Sequence, residues 1–378
     1  MKIRTVCGDI ASEQLGYTLV HEHVIPDLYP LFDGFGMDIK TMRKTHPALK
    51  DLPDERFKTK LENVKFLESG GWQYDKFELS SDGDDYIDFM AKELEIYKAA
   101  GGKSICEVSY KGCTKRTVAD LKTLSERTGV NIICCTGLAN ASAKSRPEAY
   151  LGKTEDELTA MFEEEVVNGA DGTDIKPGIL KALMTCTEER DHLRALARVS
   201  AKHDLPLHIH VQHPMTIDDI VDVCHMCLDE YKVNPHRLLI NHIQQYFMTP
   251  MMIADYIKTG KREVTVDGVE RVLATGANIT IDCLGNKANN NNEIFGSMGT
   301  DDYLIIRGLM MLLEKGHASR IMLGHDYAGK QCSVQHGSWG YTRIPNFVGP
   351  MLWQLGFEKE VEQMTVKNPV EHLAFVKE

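Results

Sequence analysis

The chain has no run of about 18 apolar residues, so no membrane-spanning helix is expected. It also has no surplus of positive charge. Lys and Arg total 43 against 55 Asp and Glu, a net charge of −12. Nucleic acid and anionic membranes, which need a basic surface, are therefore unsuited as main partners. The first residues, MKIRTVCGDIASEQLG, hold no apolar stretch of the kind that directs secretion, so no signal peptide is expected. The 10 cysteines are scattered rather than set in a dense framework. A chain of 378 residues does not need disulfide staples, so they are read as reduced thiols of a cytoplasmic protein. Hydrophobic residues at 43% and charged residues at 26% are enough to build a large packed core. No repeat is visible beyond an alternation of strand and helix.

That alternation carries the fold. Eight short apolar runs read as buried parallel strands: 18–20, 103–108, 131–135, 178–183, 205–211, 237–240, 277–283 and 320–324. Amphipathic stretches lie between them, at 86–102, 118–129, 188–204 and 301–316. Three of these end near Gly101, Gly129 or Gly316, as helix C-caps do. The expectation is a single α/β domain over 1–378, a (β/α)8 TIM barrel. Residues 24–85 read as an extended first βα loop over the barrel mouth, since they lack apolar runs of their own. Residues 258–272 read as a small hairpin insertion around Asp267-Gly268. The run NNNN at 289–292 reads as a mobile loop.

Most of the runs stop at a residue that binds metal or moves protons. The first ends in His21-Glu22-His23, the fifth in His208-Ile209-His210, the sixth in Asn241-His242 and the eighth in His325-Asp326. The fourth carries Lys181 inside the apolar GILKAL. In a barrel these ends converge on one opening, where active sites are built. His21 and His23, two apart on a strand, share a face and can bind one ion. A lysine in an apolar strand is costly unless paired or neutralised. It either bonds a carboxylate such as Glu107 or, kept neutral by burial, captures carbon dioxide as a carbamate that bridges two cations. His208 and His325 read as buried histidines packed beside or behind the site. Cys224 and Cys227 form a lone CxxC with no second pair, and Cys186 and Cys283 have no evident base.

With these residues in view, the chain resembles the phosphotriesterase-like family of the amidohydrolase superfamily. The matching segments are QLGYTL (14–19) running into HEH, then GILK, LPLHIHV, LLINH, IMLGHD and KNPVEHL (367–373). The resemblance implies a binuclear metal centre. His21, His23 and Asp326 would hold the buried ion and His210 and His242 the more exposed one. Lys181, as N6-carboxylysine, would bridge the two together with a hydroxide. It implies a hydrolase in which that hydroxide attacks an ester carbonyl, with Asp326 taking its proton, and Lys181 and Asp326 as the residues that carry catalysis. Zinc is the expected ion, with manganese or cobalt also suited to such donors. One departure is Ala139, where many members carry an aromatic leaning over the metals. Trp72, Tyr74 and Phe77 of the long first loop are candidate replacements.

Substrate contacts are sought in the last two loops, at Lys287, Tyr327, Lys330 and Arg343, with His336 nearby. Cations there suit a small anionic metabolite. A lactone, such as that of a phosphorylated sugar acid, is the first reading of the substrate. An amidase for a small N-acyl amino or sulfonic acid, or a phosphotriesterase, is the alternative. A non-catalytic binding protein would not need Lys181 and Asp326 intact. A homodimer is compatible with each of these readings.

Overall fold

The computed structural model describes residues 1–28, 81, 83–184, 186–247, 258–260, 263–285 and 302–375. Most of the long first loop, Lys287, Trp72, Tyr74, Phe77 and the asparagine run lie outside them. Two antiparallel strands, β1 (Lys2–Thr5) and β2 (Gly8–Ala11), open the chain. They are followed by β3 (Thr18–Glu22), α1 (Tyr86–Ala99), β4 (Ser104–Glu107), α2 (Val118–Thr128), β5 (Asn131–Ile133) and β6 (Cys135–Ala139). The alternation continues with α3 (Glu155–Asn168), β7 (Ile179–Met184), α4 (Asp191–His203), β8 (Leu207–Val211), α5 (Ile217–His225) and β9 (Leu238–Asn241). It ends with α6 (Asp267–Ala274), β10 (Asn278–Ile281), α7 (Asp302–Glu314) and β11 (Ile321–Leu323), then three short helices, of which α10 (Asn368–Leu373) is the last.

All eight expected strands are present and pair in parallel in chain order. β5 and β6 are two halves of one strand, the first paired with β4 and the second with β7. Where β11 returns to β3, the Asp326 N–H donates to the His21 carbonyl at 3.0 Å. Gly324 sits at this seam because a Cβ there would lie 2.9 Å from both the His21 Cβ and the His21 carbonyl oxygen.

Strand alternation divides the apolar side chains into two cores. Leu180, Ala182 and Met184 of β7 pack outward with Leu193 and Leu196 of α4. Ile179 and Leu183 of the same strand face inward, joining Val20, Cys106, Ile133, Leu239 and Met322 from strands around the barrel. Ile3 of the first hairpin, Leu15 from the segment that leads into β3 and Leu373 of α10 join that inner cluster.

The expected hairpin at 258–272 is a correction. Asp267–Ala274 is the helix α6, with Asp267 in its first turn and Val269, Val272 and Leu273 buried at helical spacing. The Asp-Gly pair that suggests a turn opens a helix instead, because an amphipathic run follows it directly.

Candidate metal centre

His21 and His23 reach the barrel mouth through an irregularity in β3. Leu19 belongs to the outer core and Val20 to the inner one, so strict alternation would turn His21 outward. The pairing instead runs Leu19 to Ile105 and then Glu22 to Glu107, which leaves one extra residue on β3. This bulge exchanges the faces, turning both histidines inward and Glu22 outward. Glu22 then accepts the His325 N–H at 2.7 Å, His325 Nδ1 at 3.0 Å and the Tyr327 N–H at 3.2 Å. It thereby fixes the two residues that flank Asp326.

The next three donors come from strand ends. His242 directly follows β9, Asp326 follows β11, and His210 lies on β8. His242, Cys283 and Asp326 all adopt positive φ, at 64°, 62° and 53°. Such backbone costs non-glycine residues on the order of 1 kcal/mol each and tends to mark functional sites. His21 Nε2 and His23 Nε2 lie 3.5 and 3.4 Å from Asp326 Oδ1. The His21 and His242 rings are 4.6 Å apart, and those of His210 and His242 4.0 Å. His21, His23 and Asp326 form one group able to hold an ion. Lys181, 1% exposed, donates from Nζ to Asn241 Oδ1 at 2.6 Å.

The electrostatics suit cation binding. Burial, helped by Lys181 and the other imidazoles, holds His21 well below its usual pKa, and burial, His242 and Lys181 do the same to His210. Both are therefore neutral, the form that binds metal. Burial pulls His242 down, but Asp282 and Asp326 raise it on balance. Burial raises Asp326, yet His242, His23 and Lys181 outweigh it and keep the carboxylate below its ordinary range. Burial lowers the Lys181 ammonium to about 8, against the pull of Asp282 and Asp326. Both ring nitrogens of His21 and the Nε2 of His242 are buried with no hydrogen-bond partner. A bare buried donor or acceptor costs about 1–3 kcal/mol. Neutral imidazoles, a carboxylate and orphaned nitrogens in one cavity fit divalent cations.

Two acidic residues here have no role in the sequence reading. Asp282, fully buried after β10, faces His242 Nδ1 at 2.8 Å and His21 Nδ1 at 3.5 Å. It also accepts the His242 N–H at 3.0 Å and Gln244 Nε2 at 2.6 Å. A carboxylate hydrogen-bonded to His242 Nδ1 sets that ring's tautomer and leaves its Nε2 for an ion, while its charge faces His21 Nδ1 without a hydrogen bond. The signal was present, since the seventh run, ANITIDC, carries Asp282 next to its end as others carry His near theirs. Glu22 is the other, hidden because its partners, His325 and Tyr327, lie 303 and 305 residues away in the chain. Cys283 proves close to the site, its Sγ 3.6 Å from His242 Nδ1 and 3.7 Å from Asp326 Oδ2. Burial and these acids raise its pKa, so no nucleophilic thiolate is favoured.

The remaining expectations sort clearly. Glu107 does not hold Lys181; it accepts the Val24 and Ser109 N–H groups. His208 pairs with His372 through Nε2 atoms 2.9 Å apart, and His325 is buried on Glu22. Cys224 and Cys227 are buried on or just after α5 and belong to no metal-holding group among the described residues. Tyr327 is buried and stacks on Tyr341 at 4.8 Å. Lys330 lies over the Tyr86 ring at 5.7 Å. Arg343 is committed to Asp302, Nε to Oδ2 at 2.7 Å, with its guanidinium over Phe347. It is thus part of the packing, and the cationic patch read from the sequence is reduced accordingly.

The N-acetyltaurine hydrolases of Xenopus tropicalis and Homo sapiens are 28% and 26% identical to this chain, each over 99% of it and 98% of the relative. Among solved structures, a resiniferatoxin-binding protein from Rhodobacter sphaeroides matches with a TM-score of 0.77 at 23% identity, covering 100% of this chain and 96% of that one. A lactonase from Listeria monocytogenes matches with a TM-score of 0.70 at 22% identity, covering 100% of both chains. The barrel and its ring of imidazoles at the strand ends agree with a family model that matches residues 1–373: the chain belongs to the phosphotriesterase family, a family of metal-dependent hydrolases.

Proposed function

We propose that this protein is a binuclear hydrolase of a small N-acylated amino or sulfonic acid. The observation that carries the binuclear reading is the set of buried nitrogens on His21 and His242 that have no partner beside Asp326 and Lys181. His21, His23 and Asp326 would hold one ion, His210 and His242 the other, and Lys181, once carboxylated, both. Zinc is the ion favoured, with manganese or cobalt also suited. Two such ions, when bound, supply Lewis acidity and make water reactive near neutral pH.

The other steps belong to the chain. Asp282 holds His242 in one tautomer. Asp326, kept anionic by its neighbours, takes a proton from the attacking water and delivers it to the leaving nitrogen. Backbone groups clamped by Glu22 keep that carboxylate from drifting during the transfer.

The choice of acyl group departs from the order reached from the sequence alone, where lactones came first. Relatives aligned along their whole length are named N-acetyltaurine hydrolases, which supports an amide. The resemblance to a lactonase, at 22% identity, supports the fold. An amide and a lactone present the same electrophile, a carbonyl carbon, so the site chemistry is common to both.

The test is a pH-indicator assay of metal-loaded protein against N-acyl amino and sulfonic acids, lactones and phosphotriesters. Turnover should be fastest for the N-acyl compounds. Asp326→Asn should abolish it while leaving the circular dichroism spectrum unchanged. Turnover of lactones alone would overturn the amide reading. Two bound ions with no turnover of any class would favour the binding-protein alternative.

A further inference from the structure

On the inner wall of the barrel Lys181 is tied into a polar chain whose other members, Asn241 and Thr280, the reaction above does not use. Lys181 and His208 are opposite one another in register, and His210 is opposite Asn241. The Lys181 side chain therefore climbs from its own layer to the next to reach Asn241 Oδ1, at 2.6 Å. Asn241 is fully buried, and its Nδ2 donates to Thr280 Oγ1 at 2.5 Å. Thr280 in turn directs its hydroxyl to the Ile240 carbonyl at 3.4 Å. The order of donors is thus fixed. With its hydrogen turned to Ile240, Thr280 offers Asn241 only a lone pair, so the amide must present its NH2 to Thr280 and its oxygen to Lys181.

We propose that Asn241, locked by Thr280, is the positioning residue that orients carboxylated Lys181. The inference rests on the reading of Lys181 as a carbamate. In that addition the lone pair of the neutral amine forms a bond to the carbon of carbon dioxide. One C–O π pair moves onto oxygen, and one N–H proton leaves to solvent. The product nitrogen is planar and keeps a single N–H. Buried as it is, that N–H needs an acceptor, and Asn241 Oδ1 already stands at hydrogen-bond distance. Holding it there fixes the plane of the carbamate and turns its two oxygens away from Asn241, toward the imidazoles. Without this acceptor the carbamate would have an orphaned donor and rotational freedom about Cε–Nζ.

The test uses full-length protein, apo and then loaded with Zn²⁺ at graded concentrations of ¹³C-labelled bicarbonate. Carbamate is read by ¹³C NMR and metal by elemental analysis. Wild type should show the carbamate resonance and two equivalents of zinc. Asn241→Leu, similar in shape but without the acceptor, should need at least about tenfold more bicarbonate for the second equivalent. Thr280→Val should shift in the same direction and Thr280→Ser should behave as wild type. That pair decides the matter if Asn241→Leu does not fold. A merely structural role would lower thermal stability without moving the bicarbonate dependence. A wild-type resonance that is unchanged in Asn241→Leu and Thr280→Val overturns the positioning role alone. Absence of the resonance from zinc-loaded wild type overturns the carbamate reading, and the positioning role with it.

Discussion

At the scale of single residues, the centre depends as much on what stands behind the imidazoles as on the imidazoles themselves. Asp282 touches His21 and His242, which belong to the two different ions in the proposed assignment. Asp282→Asn keeps the shape but can present an N–H where an acceptor is required. Losing such a supporting carboxylate commonly costs about 10–100-fold in metal affinity. Competition with a chelator should show a loss in that range for Asp282→Asn. An unchanged affinity would mean that His242 holds its tautomer without help. All six proposed ligands were legible in the sequence, because each is a polar residue breaking or ending an apolar run. Their supports were harder to read. Asn241 resembled a spacer before His242, and Asp282 resembled an ordinary strand end, since hydrogen bonds between strands leave no mark on spacing.

At the scale of elements, the strands were legible and their local defects were not. Eight apolar runs gave eight strands because burial on both faces imposes near-continuous hydrophobicity. The extra residue in β3 is invisible in TLVHEH, which obeys alternation on paper, yet it decides which of His21, Glu22 and His23 face the mouth. The Asp267-Gly268 pair misled because turn and helix-start chemistry share residue types. The seam between β3 and β11 leaves no room for a side chain at Gly324. Gly324→Ala would push a methyl group against His21 from the neighbouring strand. Overpacking of this kind costs typically about 1–3 kcal/mol. We expect a lower melting temperature together with weaker binding of one zinc equivalent, since His21 must move. Calorimetry and elemental analysis on the same variant check this, and normal zinc content would show that the strand yields without displacing His21.

At the scale of the whole molecule, the floor of the barrel makes stability depend on pH. His372 of α10 is fully buried, hydrogen-bonded to His208 and to the His236 carbonyl. Burial, aided by nearby Arg237 and His236, brings its pKa down to about 3. Folded, it stays neutral; unfolded, it takes up a proton below about pH 6.5. Its contribution is therefore intact above pH 6.5 and is lost as pH falls toward 3, at about 1.4 kcal/mol per pH unit. Between pH 6.5 and 5 wild type should lose about 2 kcal/mol more than His372→Gln. The metal ligands titrate in both proteins, so their effect cancels in the difference. Denaturant unfolding at several pH values provides the comparison, and parallel curves would assign the sensitivity elsewhere. The sequence hinted at this floor only through the segment KNPVEHL. A contact between residues 208 and 372 spans nearly half the chain, and no local pattern announces it.

The left-handed residues that close β9, β10 and β11 bear on how such a barrel diversifies. Each aims its side chain from a turn belonging to the strand end itself, so a donor's direction is settled before the following segment begins. Reactive chemistry and substrate choice are thereby written in separate stretches of chain, and either can be revised while the other stands. Proteins of like architecture named for an amide, a lactone and a toxin are what such a division of labour permits.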